Sequence, residues 1–130
     1  MKISINHHSH IPYGAGTSKS GKEVFIDKDI PHYFQFKDGR VDVWKALEAH
    51  ETAEDAQMRK GMHYEDAHRH YAIPAEKKEV GKHWKEYNSR IDTLIGEDKK
   101  MQVKKLPSAL EKKPYREEHY KSLAIKKKIK

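Results

Sequence analysis

The sequence predicts an α+β fold: a small N-terminal antiparallel sheet, then about three helices, then a basic extended C-terminal tail. Three observations predict it. Short β-type runs, at residues 2–6, 23–27, 33–36 and 41–43, fill the first third and are separated by turn residues. Between Val43 and Ile95 the apolar residues switch to steps of three and four, the helical spacing. Beyond residue 97 the pattern fades, and 12 Lys/Arg stand against 4 Asp/Glu, a net of +8. The first 97 residues hold 15 against 16, a net of −1. The boundary is drawn there, giving one α+β domain over residues 1–97 and a basic extension over 98–130.

Taken in order, residues 2–6 alternate and read as a short strand. His7, His8 and His10 follow. Three histidines in four positions are either a metal-binding tract or an exposed loop. Residues 12–22 form a Gly/Ser loop, and from Gly16 to Lys22 they match a phosphate-binding loop up to its last position. There a Ser or Thr should hold magnesium, and this chain has Glu23. The loop also leads into Val24-Phe25-Ile26, a β-type run, where a helix N-terminus is needed. An acid beside the phosphates repels them, so nucleotide hydrolysis is excluded. Pro31 ends the strand after Asp27, Asp38-Gly39 signals a hairpin turn, and Asp42 is placed to cap a helix.

That helix spans residues 43–60 and stops at Gly61. Its apolar or small residues are Trp44, Leu47, Ala53 and Met58, and Trp44, Leu47, Glu51, Glu54 and Met58 share one side. Two acids on that side need a partner. The second helix begins near Glu65 and carries Ala67, His68, Tyr71, Ala72, Ala75, Glu76 and Val80. Pro74 should kink or break it near Ile73, and Gly81 ends it. The third, over residues 82–95, has Trp84, Tyr87, Ile91 and Leu94 on one face, which reads as ordinary core.

Composition narrows the chemistry. The hydrophobic share of 35% against 36% charged residues leaves a modest core. Without cysteine there is no disulfide, thiolate metal site or cysteine nucleophile. No apolar run reaches the roughly 18 residues of a membrane span, and residues 1–10 are polar and histidine-rich, unlike a signal peptide. These readings anticipate a soluble cytoplasmic protein with no membrane partner.

The chemistry concentrates in His50-Glu51-Thr52-Ala53-Glu54. His50 and Glu54, four residues apart, lie about 6 Å apart along one helix face and can share a metal ion. Glu51 projects away from that pair and can act as general base toward a metal-activated water, the logic of the zinc helix H-E-x-x-H. The expected third ligand is His68 on the second helix, with Glu76 as the alternative. The two are about 12 Å apart on a straight helix. Only the Pro74 kink would let both approach one ion; otherwise Glu76 supports a ligand or pairs with a base. His63 falls in the turn and His70 on the polar side. Two histidines and one carboxylate are a zinc donor set that leaves a position open.

The order of motifs adds a resemblance. The Gly/Ser loop, Val24-Phe25-Ile26-Asp27, the HExxE helix, Tyr64-x-x-Ala67-His68, Ala75-Glu76, Trp84-x-x-Tyr87, Leu106-Pro107 and Lys113-Pro114-Tyr115 follow one another in that order. This series resembles a family of small uncharacterised bacterial and phage proteins, over most of the chain. The resemblance implies that Asp27, His50, Glu51, Glu54, Ala67, His68 and Glu76 stand at motif positions, with Asp27 orienting a ligand histidine. The helix itself is similar to a reduced version of the zincin metallopeptidases, with Glu54 where those carry a second histidine.

Two functions are therefore expected. The first is a small zinc-dependent, zincin-like hydrolase, with a peptide substrate held by strand addition at the sheet edge. The second is a non-enzymatic, phage-associated module with a structural His/Glu cluster, whose extension over residues 98–130 contacts a nucleic acid or acidic partner without sequence specificity.

Overall fold

The computed structural model describes residues 3–11, 14–100 and 109, with residues 96–100 given by their backbone alone. Its described part is α+β: five strands in two small sheets, then helices. The strands are β1 (Ser4–Asn6), β2 (Ala15–Thr17), β3 (Glu23–Ile26), β4 (Tyr33–Phe36) and β5 (Gly39–Asp42). The helices are α1 (Val43–Arg59), α2 (Tyr64–Ala67), α3 (Ile73–Val80) and α4 (Trp84–Lys100), with a π-helical turn at His68–Ala72 and a 3-10 turn at Gly81–His83. No described helix is long and apolar enough to cross a membrane.

The sheet differs from the all-antiparallel expectation. In the three-stranded sheet the order is β1-β3-β2; β2 runs antiparallel to β3, but β1 pairs with β3 in parallel, from Ser4 opposite Glu23 to Asn6 opposite Phe25. Residues 7–11 lead the chain out of β1 as a crossover beside Asp27 and Lys28, past the end of β3, and β1 and β2 flank β3 instead of pairing with each other. Asp27 holds this crossover. Its carboxylate accepts from Ile11 N at 2.6 Å and from Asp29 N at 2.9 Å, its own N–H donates to Gly14 O, and Lys28 N donates to Ser9 O. Residues 18–22 form the tight connection between β2 and β3, with no helix after it, which agrees with the rejection of a phosphate-binding loop. β4 and β5 form a separate hairpin around Lys37 and Asp38, as the Asp38-Gly39 signal predicts.

α1 is the central element, packed against β2, β3 and β4 and against α2, the π-helical turn and α3. Asp42 caps its start, accepting from Lys45 N at 2.9 Å. At its end Gly61 adopts φ 100°, Gly61 N donates to Met58 O, and Met62 N donates to Gln57 O. This pair of bonds satisfies carbonyls that the helix end leaves open, in a conformation only glycine adopts without strain. The buried stripe of α1 is Val43, Ala46, Leu47, His50, Glu51, Glu54, Asp55 and Met58. Trp44 and Ala53, expected on that stripe, lie at its half-buried margin. Trp44 instead stacks on His32 at 4.1 Å and donates to Ile30 O.

The main core joins sheet to helices through Val24, Ile26, Ile30, Phe34, Val41, Leu47, Tyr87 and Ile91. Each large aliphatic side chain buried here contributes about 1.5–3 kcal/mol. A second cluster, Met58 and Ala67 with Met62 and Tyr64 against it, fastens α2 to the end of α1. The expected second helix is present as two joined helices. Pro74 lacks an N–H for the carbonyl four residues back, and its ring crowds that carbonyl. The wider π-helical turn just before it, in which Ile73 N donates to His68 O, relieves both problems without ending the helix. α4 runs to Lys100, past the expected boundary at residue 97. The expected extended tail lies outside the described residues apart from Ala109, whose carbonyl accepts from Lys19 N at 2.8 Å.

Candidate metal centre

Three elements converge on His50. α1 supplies His50, Glu51 and Glu54 from adjacent positions of its buried stripe. The π-helical turn supplies His68 as its first residue, and α3 supplies Glu76 from its first turn. Glu51, Glu54 and Glu76 are 1%, 0% and 5% exposed, so three carboxylates sit where an uncompensated charge is costly.

The two ring nitrogens of His50 face opposite ways. On one side Nδ1–H donates to Glu76 Oε1 at 2.6 Å, and Tyr87 OH donates to the other Glu76 oxygen at 2.5 Å. On the other side Nε2 lies 3.2 Å from Glu54 Oε2 and 3.7 Å from Glu51 Oε2. His68 approaches the same Glu54 oxygen, with Nδ1 at 2.8 Å, and its ring meets that of His50 edge-on at 4.8 Å between centroids. Tyr64 stacks on His68 from α2, at 5.3 Å between centroids.

This arrangement answers the choice between His68 and Glu76. Both reach His50, but from opposite edges of the imidazole. His50, Glu54 and His68 offer one ligand atom each within 4.8 Å of one another, a group that could hold a metal ion. Tetrahedral zinc with bonds near 2.1 Å separates its ligand atoms by about 3.4 Å, so the 3.2 Å and 2.8 Å spacings need only small adjustment. Glu76 therefore lies on the opposite side of the His50 ring from that group. A carboxylate on the far nitrogen fixes the tautomer and raises the basicity of a metal-binding histidine. The sequence offered that supporting role to Glu76 as an alternative and to Asp27 by resemblance; Asp27 instead accepts from Ile11 N and Asp29 N beside His10.

The electrostatics match a cation. Burial pulls the His50 pKa down, but hydrogen bonds to Glu54 and Glu76 and the charge of Glu51 outweigh it and hold it up at about 9. Tyr87, pushed up strongly by burial and by the charge of Glu76, stays neutral and keeps its donor proton. A proton on His50 offsets part of the carboxylate charge, and a bound cation would take its place at Nε2.

A cleft of about 550 Å³ opens onto the group, lined by His50, Glu51, His68 and Glu76 and by apolar Leu47, Ile73, Trp84 and Ile91. His68, with its side chain 34% exposed, stands at the entrance. A larger and more open groove, between β4 and α4, contains none of these residues. The chemistry therefore belongs to the smaller cleft. The remaining histidines separate as follows. His63 caps α2, His70 is exposed, and His7 bonds Ile30 O at 2.7 Å beside Trp44.

Tyr87 is the residue that spacing assigned to plain core. Its ring is core, but its hydroxyl completes the Glu76–His50 chain. The available signal was general: a buried tyrosine hydroxyl needs a partner. No family model, curated protein or solved structure matches the chain.

Proposed function

We propose that the chain is a small zinc-dependent hydrolase with a peptide substrate. The observation that carries this reading is the convergence of two histidines with a buried carboxylate, both histidines lining a cleft and a further carboxylate beside them. His50, Glu54 and His68 would hold the ion. Zinc in such a set acts as a Lewis acid and lowers the pKa of water to about 7.

The protein's own residues divide the remaining work. Glu76, held by Tyr87, fixes the His50 ring so that Nε2 faces Glu54. Glu51 takes a proton at its carboxylate, 3.7 Å from His50 Nε2, and passes it to the leaving group. Leu47, Ile73, Trp84 and Ile91 reduce the water around the reacting atoms. Ala15 of β2 lines the cleft wall beside these residues.

The test is hydrolysis of a quenched-fluorescent peptide library by the full chain supplied with Zn2+. The expected result is turnover that falls about 10²–10⁴-fold in Glu51→Gln, with zinc still bound. Zinc binding with no turnover on any peptide would support the other reading, a non-enzymatic module in which the ion is structural.

A further inference from the structure

A second group of side chains sits at the corner between β3 and β4, where residues 9–11 bond to Asp27 and Lys28 just past the end of β3. His10 Nδ1 lies 3.5 Å from Asp27 Oδ1 and 3.4 Å from Asp29 Oδ2. These gaps are too long for N–H···O hydrogen bonds, which close at about 2.7–3.2 Å. They equal the ligand spacing of about 3.4 Å in a tetrahedral site with bonds near 2.1 Å. The Nδ1 atom is buried and makes no hydrogen bond, although the rest of the His10 ring reaches solvent. A buried ring nitrogen aimed between two carboxylate oxygens is costly unless something bridges them. Asp27, 1% exposed at its side chain, is already fixed by the N–H groups of Ile11 and Asp29.

We propose that His10, Asp27 and Asp29 form a second metal site, for a divalent transition-metal ion. One imidazole nitrogen with two carboxylate oxygens suits zinc or manganese better than magnesium. The ion fastens residues 9–11 to the β3–β4 corner. Gly14, whose carbonyl accepts from Asp27 N, also packs at the cleft: a Cβ there would meet Ile95 Cγ1 at 2.8 Å, and Ile95 lines the cleft wall. No residue is shared with the His50 group, so this site stands whether or not that group is catalytic. It accounts for His10 in the histidine tract, which the hydrolase reading leaves without a role.

The test counts metal equivalents. The full chain is stripped with chelator, loaded with Zn2+ or, separately, Mn2+, desalted and measured by elemental mass spectrometry. Thermal unfolding is followed with and without metal. His10→Ala and Asp29→Asn are each expected to lose one equivalent and part of the metal-dependent rise in Tm, while His68→Ala keeps that equivalent. Asp29 is 53% exposed at its side chain, so Asp29→Asn carries the test should His10→Ala fail to fold. Unchanged equivalents in Asp29→Asn would overturn the proposal. So would a lower Tm for His10→Ala in chelator with no change in metal uptake, which would make His10 a structural side chain of this corner.

Discussion

At His50 burial and charge pull in opposite directions, and the carboxylates win, holding its pKa up at about 9. The sign of the pH effect follows. In the metal-free chain the folded His50 binds its proton more tightly than the unfolded one, whose pKa is near 6.5. Its contribution to stability is therefore full below about pH 6.5 and is lost as pH rises through about 9. Urea unfolding of chelator-treated protein at pH 6, 7.5 and 9 should show this decline, and His50→Gln should flatten it. Tyr87→Phe tests the other edge of the ring. It strips Glu76 Oε2 of its donor and should cost about 1–3 kcal/mol in the same assay. It should also weaken zinc binding about tenfold, the usual cost of losing a group that orients a ligand. Unchanged zinc affinity would confine Tyr87 to core packing. His50, Glu54 and His68 were legible in the sequence because helix geometry alone puts them on facing stripes. The choice for Glu76 between ligand and support stayed open, and the place of Asp27 was not legible, because each depends on which side of a distant ring or loop the carboxylate meets. Spacing along one helix carries no such information.

Among the elements, the π-helical turn at His68–Ala72 links backbone to chemistry. Pro74 was readable as a disruption, but its outcome was not. A proline can end a helix, bend it or widen the turn before it, and here α1 packs along the whole second helix and keeps it continuous. The widened turn begins at the residue that faces Glu54, so it sets the aim of His68. Pro74→Ala restores a helical N–H and should let the turn relax toward regular α-helix. The fold should tolerate this change, while zinc affinity should fall on the order of tenfold as His68 rotates. Circular dichroism and zinc titration with a competing chelator check both halves. Equal affinity would mean that the turn does not position the ligand. In the sheet, the strands over residues 23–26, 33–36 and 39–42 followed from β-type runs and turn residues. The parallel pairing of β1 did not, since it depends on how the chain leaves β1 rather than on any strand's own pattern.

Over the whole molecule, charge and chemistry lie in different parts of the chain. The site belongs to the first 97 residues, which are near neutral, whereas residues 98–130 carry a net of +8. If the extension holds a polyanion, deleting residues 121–130 should weaken heparin binding. The slope of log affinity against log salt should become shallower, because fewer counterions are released. The same deletion should leave the zinc content unchanged; loss of zinc would tie the extension to the site. α1 connects the levels, because one buried stripe both packs the sheet and presents His50, Glu51 and Glu54. Whether that stripe holds an ion is decided by a zinc titration of chelator-stripped full chain alongside His68→Ala and Glu51→Gln. His68→Ala is expected to lose one equivalent and Glu51→Gln none. A full chain that takes up no zinc, or a His68→Ala variant that binds as much as the unaltered chain, would contradict a metal centre at His50, Glu54 and His68.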